Sequence, residues 1–301
     1  MALNNDLDIQ SFVDYLKFEK RYSLHTIRSY QDDLHFFYEY LTATFGGLSL
    51  PEIKPTFIRS WLAKQKEEGI SSKTLNRRIS SLRSYFKYHL RRESITVSPM
   101  TTIVTPKISK RLPAFVEQKD TAVLFAHVEF PETWAGLLER FILQLLYASG
   151  MRLAELINLK QNQVDLSKGH LKILGKGNKE RLVPLSLEMK QQIHQYLKQK
   201  KEQLGDAGET EFLLVNQKGK KLYPKYVQLV VKKYLSLITT IEKKSPHVLR
   251  HTFATHLMNN GAELNAVKEL LGHSSLAATQ IYTHNTIDKL KDIHKKAHPK
   301  A

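Results

Sequence analysis

The sequence predicts a mainly helical chain of two domains, with a small β region set inside the second. Three observations lead there. Between residues 7 and about 98, apolar side chains recur at helical spacing. Residues 99–113, PMTTIVTPKISKRLP, hold three prolines and show no periodicity, which is linker chemistry. Between residues 164 and 185 the pattern alternates as it does in strands. A chain of 301 residues is long enough to bury a core in each half.

The first domain, residues 1–98, reads as four helices. Ile9, Phe12, Val13 and Leu16 form one stripe. Ile27, Tyr30, Leu34, Phe37 and Leu41 form a second, entered at Ser23 and broken at Gly46-Gly47. Ile58, Trp61 and Leu62 seed a third that ends near Gly69. Ser71 or Ser72 caps a fourth, with Leu75, Ile79, Leu82 and Phe86 turned inward. Its other faces carry Lys73, Arg77, Arg78, Arg83, Lys87, Arg91 and Arg92, with no acidic residue from 73 to 92. That face is either a solvated helix surface or one laid on a phosphate backbone, and its uniform sign favours DNA.

After the linker, the domain of residues 114–301 opens with a helix near 117–128 and a strongly apolar one through Leu137, Phe141, Ile142 and Leu146. The second stops at Ser149-Gly150, Arg152 follows, and Leu153, Glu155 and Leu156 restart a helix. Strands are expected at 164–166, 171–174 and 181–185, and a further short one at 212–215. Helices are expected after Leu187 and through Tyr226, Val230, Tyr234 and Leu237. Ser245-Pro246 is a helix start, the hydroxyl capping and the proline at the first position. Asn260-Gly261 and Gly272 are helix stops.

Composition narrows the partner. The formal charge is +17, from 46 Lys and Arg against 29 Asp and Glu. So large an excess in a folded chain points to a polyanion, either nucleic acid or an anionic membrane surface. No apolar run approaches the length of a membrane span, and the N-terminus lacks the pattern of a secretory signal. The chain has no cysteine, hence no disulfide and no thiolate metal site, which fits a reducing cytoplasm.

Chemistry concentrates in the stretch 245–282. His247 and Arg250 lie three apart, on one helix face. His273 stands just past Gly272, and Tyr282 follows a short apolar run. Upstream, Arg152 sits at a junction between two helices, where it is either a surface or capping arginine or a functional one. Lys176 stands between two glycines at the tip of the turn GKGNK, and Lys179 closes that turn. The turn is not a nucleotide-hydrolase phosphate loop, because the spacing is wrong and no helix follows. It reads as an ordinary exposed hairpin or as one suited to insertion into a groove. His247, His251 and His256 at spacings of four and five resemble a zinc set, but no His-Glu-x-x-His motif and no acidic third ligand accompany them. His251 and His256 are expected to be packing or polar-network residues.

Four phrases in this order and spacing, LLYASGMRLAELINL, GKGNKERLVPL, HVLRHTFATHLMNNGAEL and LGHSSLAATQIYTH, resemble the tyrosine recombinases of the phage integrase family, and within it the Xer group. The resemblance spans essentially the whole chain. It implies a four-helix core-binding domain of the SAM-like type, then a mainly helical catalytic domain with a small antiparallel sheet. It further implies a catalytic set of Arg152, Lys176, His247, Arg250, His273 and the nucleophile Tyr282. On that reading Lys73, Arg77, Arg78, Arg83, Lys87 and Lys179 touch DNA. The two arginines hold the non-bridging phosphate oxygens, His247 takes the phenol proton, Lys176 protonates the departing 5′ oxygen and His273 adds a hydrogen bond. The product is a 3′-phosphotyrosyl bond, made with no cofactor, neither ATP nor a metal.

The implied task is site-specific recombination of Xer type, resolving chromosome or plasmid dimers. The lack of a further domain before residue 7 leans that way. The alternatives are a mobile-element integrase or invertase, a type I B topoisomerase, and, from another class, a DNA-binding architectural or regulatory protein that does not cut. Ile287, Leu290 and Ile293 give the tail an apolar edge. The resemblance implies that this tail docks into a neighbouring subunit, giving a tetramer on two DNA sites. A paralogous recombinase or a septal DNA translocase is the further partner to look for.

Overall fold

The computed structural model describes residues 2–108, 114–175, 179–208 and 210–272. Lys176, His273, Tyr282 and the expected tail helix lie outside the described residues. The chain divides into two compact units, 1–111 and 112–301. Among the described residues no helix is long and apolar enough to cross a membrane.

Unit 1 holds helices α1 (Ala2–Asp14), α2 (Leu24–Phe45), α3 (Pro55–Glu67) and α4 (Ser72–Arg91). A single π turn, Tyr15–Glu19, prolongs α1. Ser23 and Ser71 cap α2 and α4 by accepting the N–H of Thr26 and Thr74, each at 3.3 Å. The predicted stripes meet in one core, with Phe12, Leu16, Leu34, Phe37, Leu41, Ile58, Trp61, Ile79, Leu82 and Phe86 all buried. Within it lies Asp33, 0% exposed, which accepts from Ser81 Oγ at 2.7 Å and Arg77 Nη1 at 2.5 Å.

The proline-rich stretch does not run free from its start. Met100 and Ile103 are buried in the unit 1 core. Arg83 Nη2 donates to the Ile103 carbonyl at 2.7 Å, and Asn76 Nδ2 to that of Pro106 at 2.9 Å. Two apolar residues three apart are too few to register as a periodicity, yet they are enough to anchor the chain.

Unit 2 contains α5 (Gln118–Ala126), α6 (Trp134–Ser149), α7 (Leu153–Asn158), α8 (Leu187–Leu204), α9 (Pro224–Ile238), α10 (Pro246–Asn259) and α11 (Leu264–Leu271). The apolar α6 is the hub, packed against α8, α9 and α10. Strands β1 (Val164–Asp165), β2 (His170–Leu174) and β3 (Glu180–Pro184) form an antiparallel sheet in the order β1-β2-β3. Ile173 pairs with Arg181 and Leu174 with Glu180 across the hairpin. Residues 212–215 form two isolated bridges, Lys160 with Phe212 and Val215 with Lys221, where a strand was expected. The carbonyls of Phe212 and Leu213 are taken instead by the buried Lys200 ammonium at 2.7 and 3.3 Å.

Candidate active site

Three of the expected catalytic residues fall within the described chain, and the fold brings all three to one cleft. An opening of about 720 Å³ is lined by Arg152, His247 and Arg250, with Lys225, Lys232 and Lys244 around them. So dense a cationic lining suits a phosphate.

Each residue is placed by local rules. Gly150 ends α6 in the left-handed conformation, φ +58°. The chain then turns so that Arg152 stands just before α7, where its backbone N–H donates to Glu155 Oε2 at 2.7 Å, a carboxylate serving as helix cap. Pro246 opens α10 as expected, but Ser245 makes no side-chain cap bond. Its backbone carbonyl accepts the Val248 N–H at 2.9 Å instead. One turn on, His247 is exposed and Arg250 buried, so the same helix face carries both an accessible imidazole and a fixed guanidinium.

Arg250 donates through Nη1 to the Gly150 carbonyl at 2.7 Å and through Nη2 to that of Leu271 at 2.6 Å. Arg152 donates through Nη1 to Glu155 Oε1 at 2.7 Å and through Nη2 to the Gly272 carbonyl at 3.2 Å. Burial and the neighbouring guanidiniums of Arg152 and Arg181 pull Arg250 down to about 10, with Glu155 opposing them. It therefore remains charged at neutral pH.

Two residues of this site were not singled out in the sequence. Glu155 is 8% exposed and lies beneath both Arg152 and Arg250. Burial alone would raise its carboxyl, but hydrogen bonds and charge from Arg181, then Arg152, outweigh it and hold the group at about 2. Arg181 is the second, with its Nη1 and Nη2 on the two carboxylate oxygens at 2.9 and 2.7 Å. The signals were present. Glu155 sits three residues after Arg152, the spacing of a reciprocal cap, and Arg181 shares the inward face of β3 with Val183.

His256 is a network residue. Its Nε2 donates to the Val116 carbonyl at 2.9 Å and its Nδ1 lies 2.9 Å from the Tyr147 hydroxyl. With both ring nitrogens engaged, it has no free position for a metal. Lys179 is exposed, and its carbonyl accepts the Gly175 N–H at 2.8 Å at the base of the hairpin.

The basic residues expected to touch DNA divide into two groups. Lys73 and Lys87 are exposed on α4. Arg77, Arg78 and Arg83 have partners inside unit 1. Arg77 is bonded to Asp33 yet stays 47% exposed, and Arg83 holds the Ile103 carbonyl. Arg78, 13% exposed, bonds Gln65, lies 3.7 Å from Asp33 and packs over Phe36 and Trp61. It is a structural residue before anything else, because its charge is spent on neutralising a buried carboxylate.

Residues 9–93 match the N-terminal SAM-like domain of phage integrases, and residues 115–289 match the phage integrase family. The tyrosine recombinase XerC of Chlorobaculum parvum is 35% identical, over 97% of this chain and 94% of its own. That of Staphylococcus haemolyticus is 37% identical, over 97% and 96%. Among solved structures, the XerH site-specific recombinase bound to palindromic difH substrate in a post-cleavage complex is 27% identical, with a TM-score of 0.70 over 90% of this chain and 79% of that one. The fold, the cationic cleft and these similarities agree: the chain belongs to the phage integrase family and is a tyrosine recombinase of the Xer group.

Proposed function

We propose that the cleft holds a scissile DNA phosphate and that the chain cuts and rejoins strands at a specific site. The observation that carries this is the pair of guanidiniums, Arg152 and Arg250, fixed around one buried carboxylate at the edge of a cationic cleft. A phosphodiester resists attack because its charge repels nucleophiles. Preset paired N–H donors stabilise the further charge that builds on its oxygens in the transition state. Lysine lacks the planar fork for this task.

In this scheme the Tyr282 oxygen attacks phosphorus, a P–O bond to tyrosine forms and the P–O5′ bond breaks. His247 takes the phenol proton, Lys176 gives a proton to the departing 5′ oxygen and His273 donates a hydrogen bond to the phosphate. A 5′-hydroxyl from the partner strand then reverses the steps. Lys73, Lys87 and Lys179, with the outer edges of Arg77 and Arg83, hold the DNA backbone. The biological task is Xer-type resolution of chromosome or plasmid dimers in the cytoplasm. It is carried out by a tetramer on two DNA sites, with tail exchange between subunits. The relatives named XerC support this role over that of a mobile-element integrase. A paralogous recombinase and a septal translocase are the partners to test.

The experiment is a nicked duplex bearing sites from the host's replication terminus, run on a denaturing gel with wild type and Tyr282→Phe. A slow protein–DNA band from wild type alone establishes the nucleophile. Bands from both proteins mean another residue attacks. DNA binding with no band from either leaves the non-cleaving architectural reading.

A further inference from the structure

The scheme above gives Arg181 no part, yet its placement is unusual for a strand residue. It is 3% exposed at an inward position of β3, where a valine or isoleucine would ordinarily sit. All three of its nitrogens are engaged. Nη1 and Nη2 grip Glu155, and Nε donates to the Leu270 carbonyl at 2.8 Å. A Cβ added at Gly272 would stand 3.0 Å from Arg181 Cδ, so the end of α11 lies directly on this side chain.

Three arginines thus take three consecutive carbonyls at the C-terminus of α11: Arg181 takes Leu270, Arg250 takes Leu271 and Arg152 takes Gly272. Helix C-terminal carbonyls carry partial negative charge and favour such cations. Glu155 lies beneath all three, accepting four hydrogen bonds, two from Arg152 and two from Arg181, with Arg250 Nη1 at 3.9 Å. Arg152 is 38% exposed and lines the cleft, whereas the Arg181 side chain is 4% exposed and is not among the lining residues. Arg181 therefore approaches the carboxylate from the buried side, and the phosphate-facing arginine approaches it from the other.

The charges explain why this matters. Three guanidiniums and one carboxylate leave a net +2 (3 − 1). Without Arg181 the remainder is +1 (2 − 1), and Glu155 draws Arg152 and Arg250 toward itself. We propose that Arg181 is a positioning residue for phosphoryl transfer: it neutralises Glu155 from behind, so that the carboxylate orients Arg152 and Arg250 without cancelling the charge they offer to the phosphate. This rests on the recombinase reading. Arg181 touches no substrate and acts only through Glu155 and α11.

The test measures single-turnover strand cleavage by the full chain on two nicked duplexes. One carries the natural scissile phosphodiester. The other carries a methylphosphonate there, which removes one negative charge and with it much of the need for paired guanidiniums. Arg181→Gln is expected to slow the phosphodiester about 10- to 100-fold, by analogy with the loss of a hydrogen-bonded partner behind a metal ligand, and the methylphosphonate several-fold less. Arg181→Lys, which keeps the charge, falls between wild type and Arg181→Gln. The double variant Glu155→Gln/Arg181→Gln restores +2 (2 − 0) and is expected to cleave faster than Arg181→Gln alone. The substrate ratio is taken within one preparation, so a misfolded fraction cancels. Equal losses on both substrates, or a double variant slower than the single, overturn the proposal and leave Arg181 a fold-stabilising residue. A wild-type protein that binds both duplexes and cleaves neither overturns the recombinase reading, and this inference with it.

Discussion

Arg250 hangs from the carbonyl of Gly150 at 2.7 Å, so the residue that ends α6 also fixes a guanidinium of the cleft. Gly150 has φ +58°, and an added Cβ would stand 2.4 Å from the Phe253 ring. Gly150→Ala is therefore expected to destabilise unit 2 by about 2–4 kcal/mol, combining left-handed strain with overpacking. Chemical denaturation measures this, and the cleavage rate should fall with it.

Replacing Arg250 by lysine should act on rate more than on binding. The lysine keeps a charge but cannot reach the Gly150 and Leu271 carbonyls while presenting a fork to phosphate. Arg250→Lys is expected to slow cleavage about 100- to 1,000-fold, the range for a lost transition-state donor. DNA affinity by gel shift should change by a few-fold at most.

Glu155 gives a pH signature. Its carboxyl is held at about 2, down from 4.5. A depressed carboxylate contributes stability that is fully present above the unfolded value and is lost as pH falls through the folded one. The window is thus about pH 4.5 down to 2, and the contribution is on the order of 3 kcal/mol. Acid titration of wild type should show this loss of stability, and Glu155→Gln should flatten that part of the curve.

The basic residues of α4 should separate by assay. Lys73→Ala or Lys87→Ala is expected to leave stability unchanged. Each should reduce the slope of log affinity against log salt by about 0.9, as for one lost phosphate contact. Arg78→Ala should instead destabilise unit 1 by about 2 kcal/mol. That is less than the roughly 3–5 kcal/mol for a lone buried pair, because Arg77 and Ser81 still hold Asp33. A salt slope changed by Arg78→Ala at constant stability would contradict this division.

The helices of unit 1 were legible because Ile9, Phe12, Leu34, Phe37, Ile79 and Leu82 follow a period that backbone geometry imposes, and all are buried. Arg152, His247 and Arg250 were legible through their motifs. Glu155 was in plain view within the Arg152 motif and Arg181 within GKGNKERLVPL, but their meaning depends on a contact across 26 residues that no local period encodes. Arg78 looked like its neighbours in sequence. Only Asp33, 45 residues earlier on another helix, sets it apart. Met100 and Ile103 were hidden by the prolines around them.

The three carbonyls at the end of α11 make chain length itself a property of the site. Successive carbonyls on a helix point about 100° apart. Inserting or deleting one residue within α11 would swing each acceptor away from its arginine, and no side-chain substitution would restore the match. Changes of length should be accepted at the exposed Gln217-Lys218 turn and rejected within α11, residues 264–271. Relatives of this protein should therefore keep the length of α11 while exposed positions such as Leu264 and Asn265 vary.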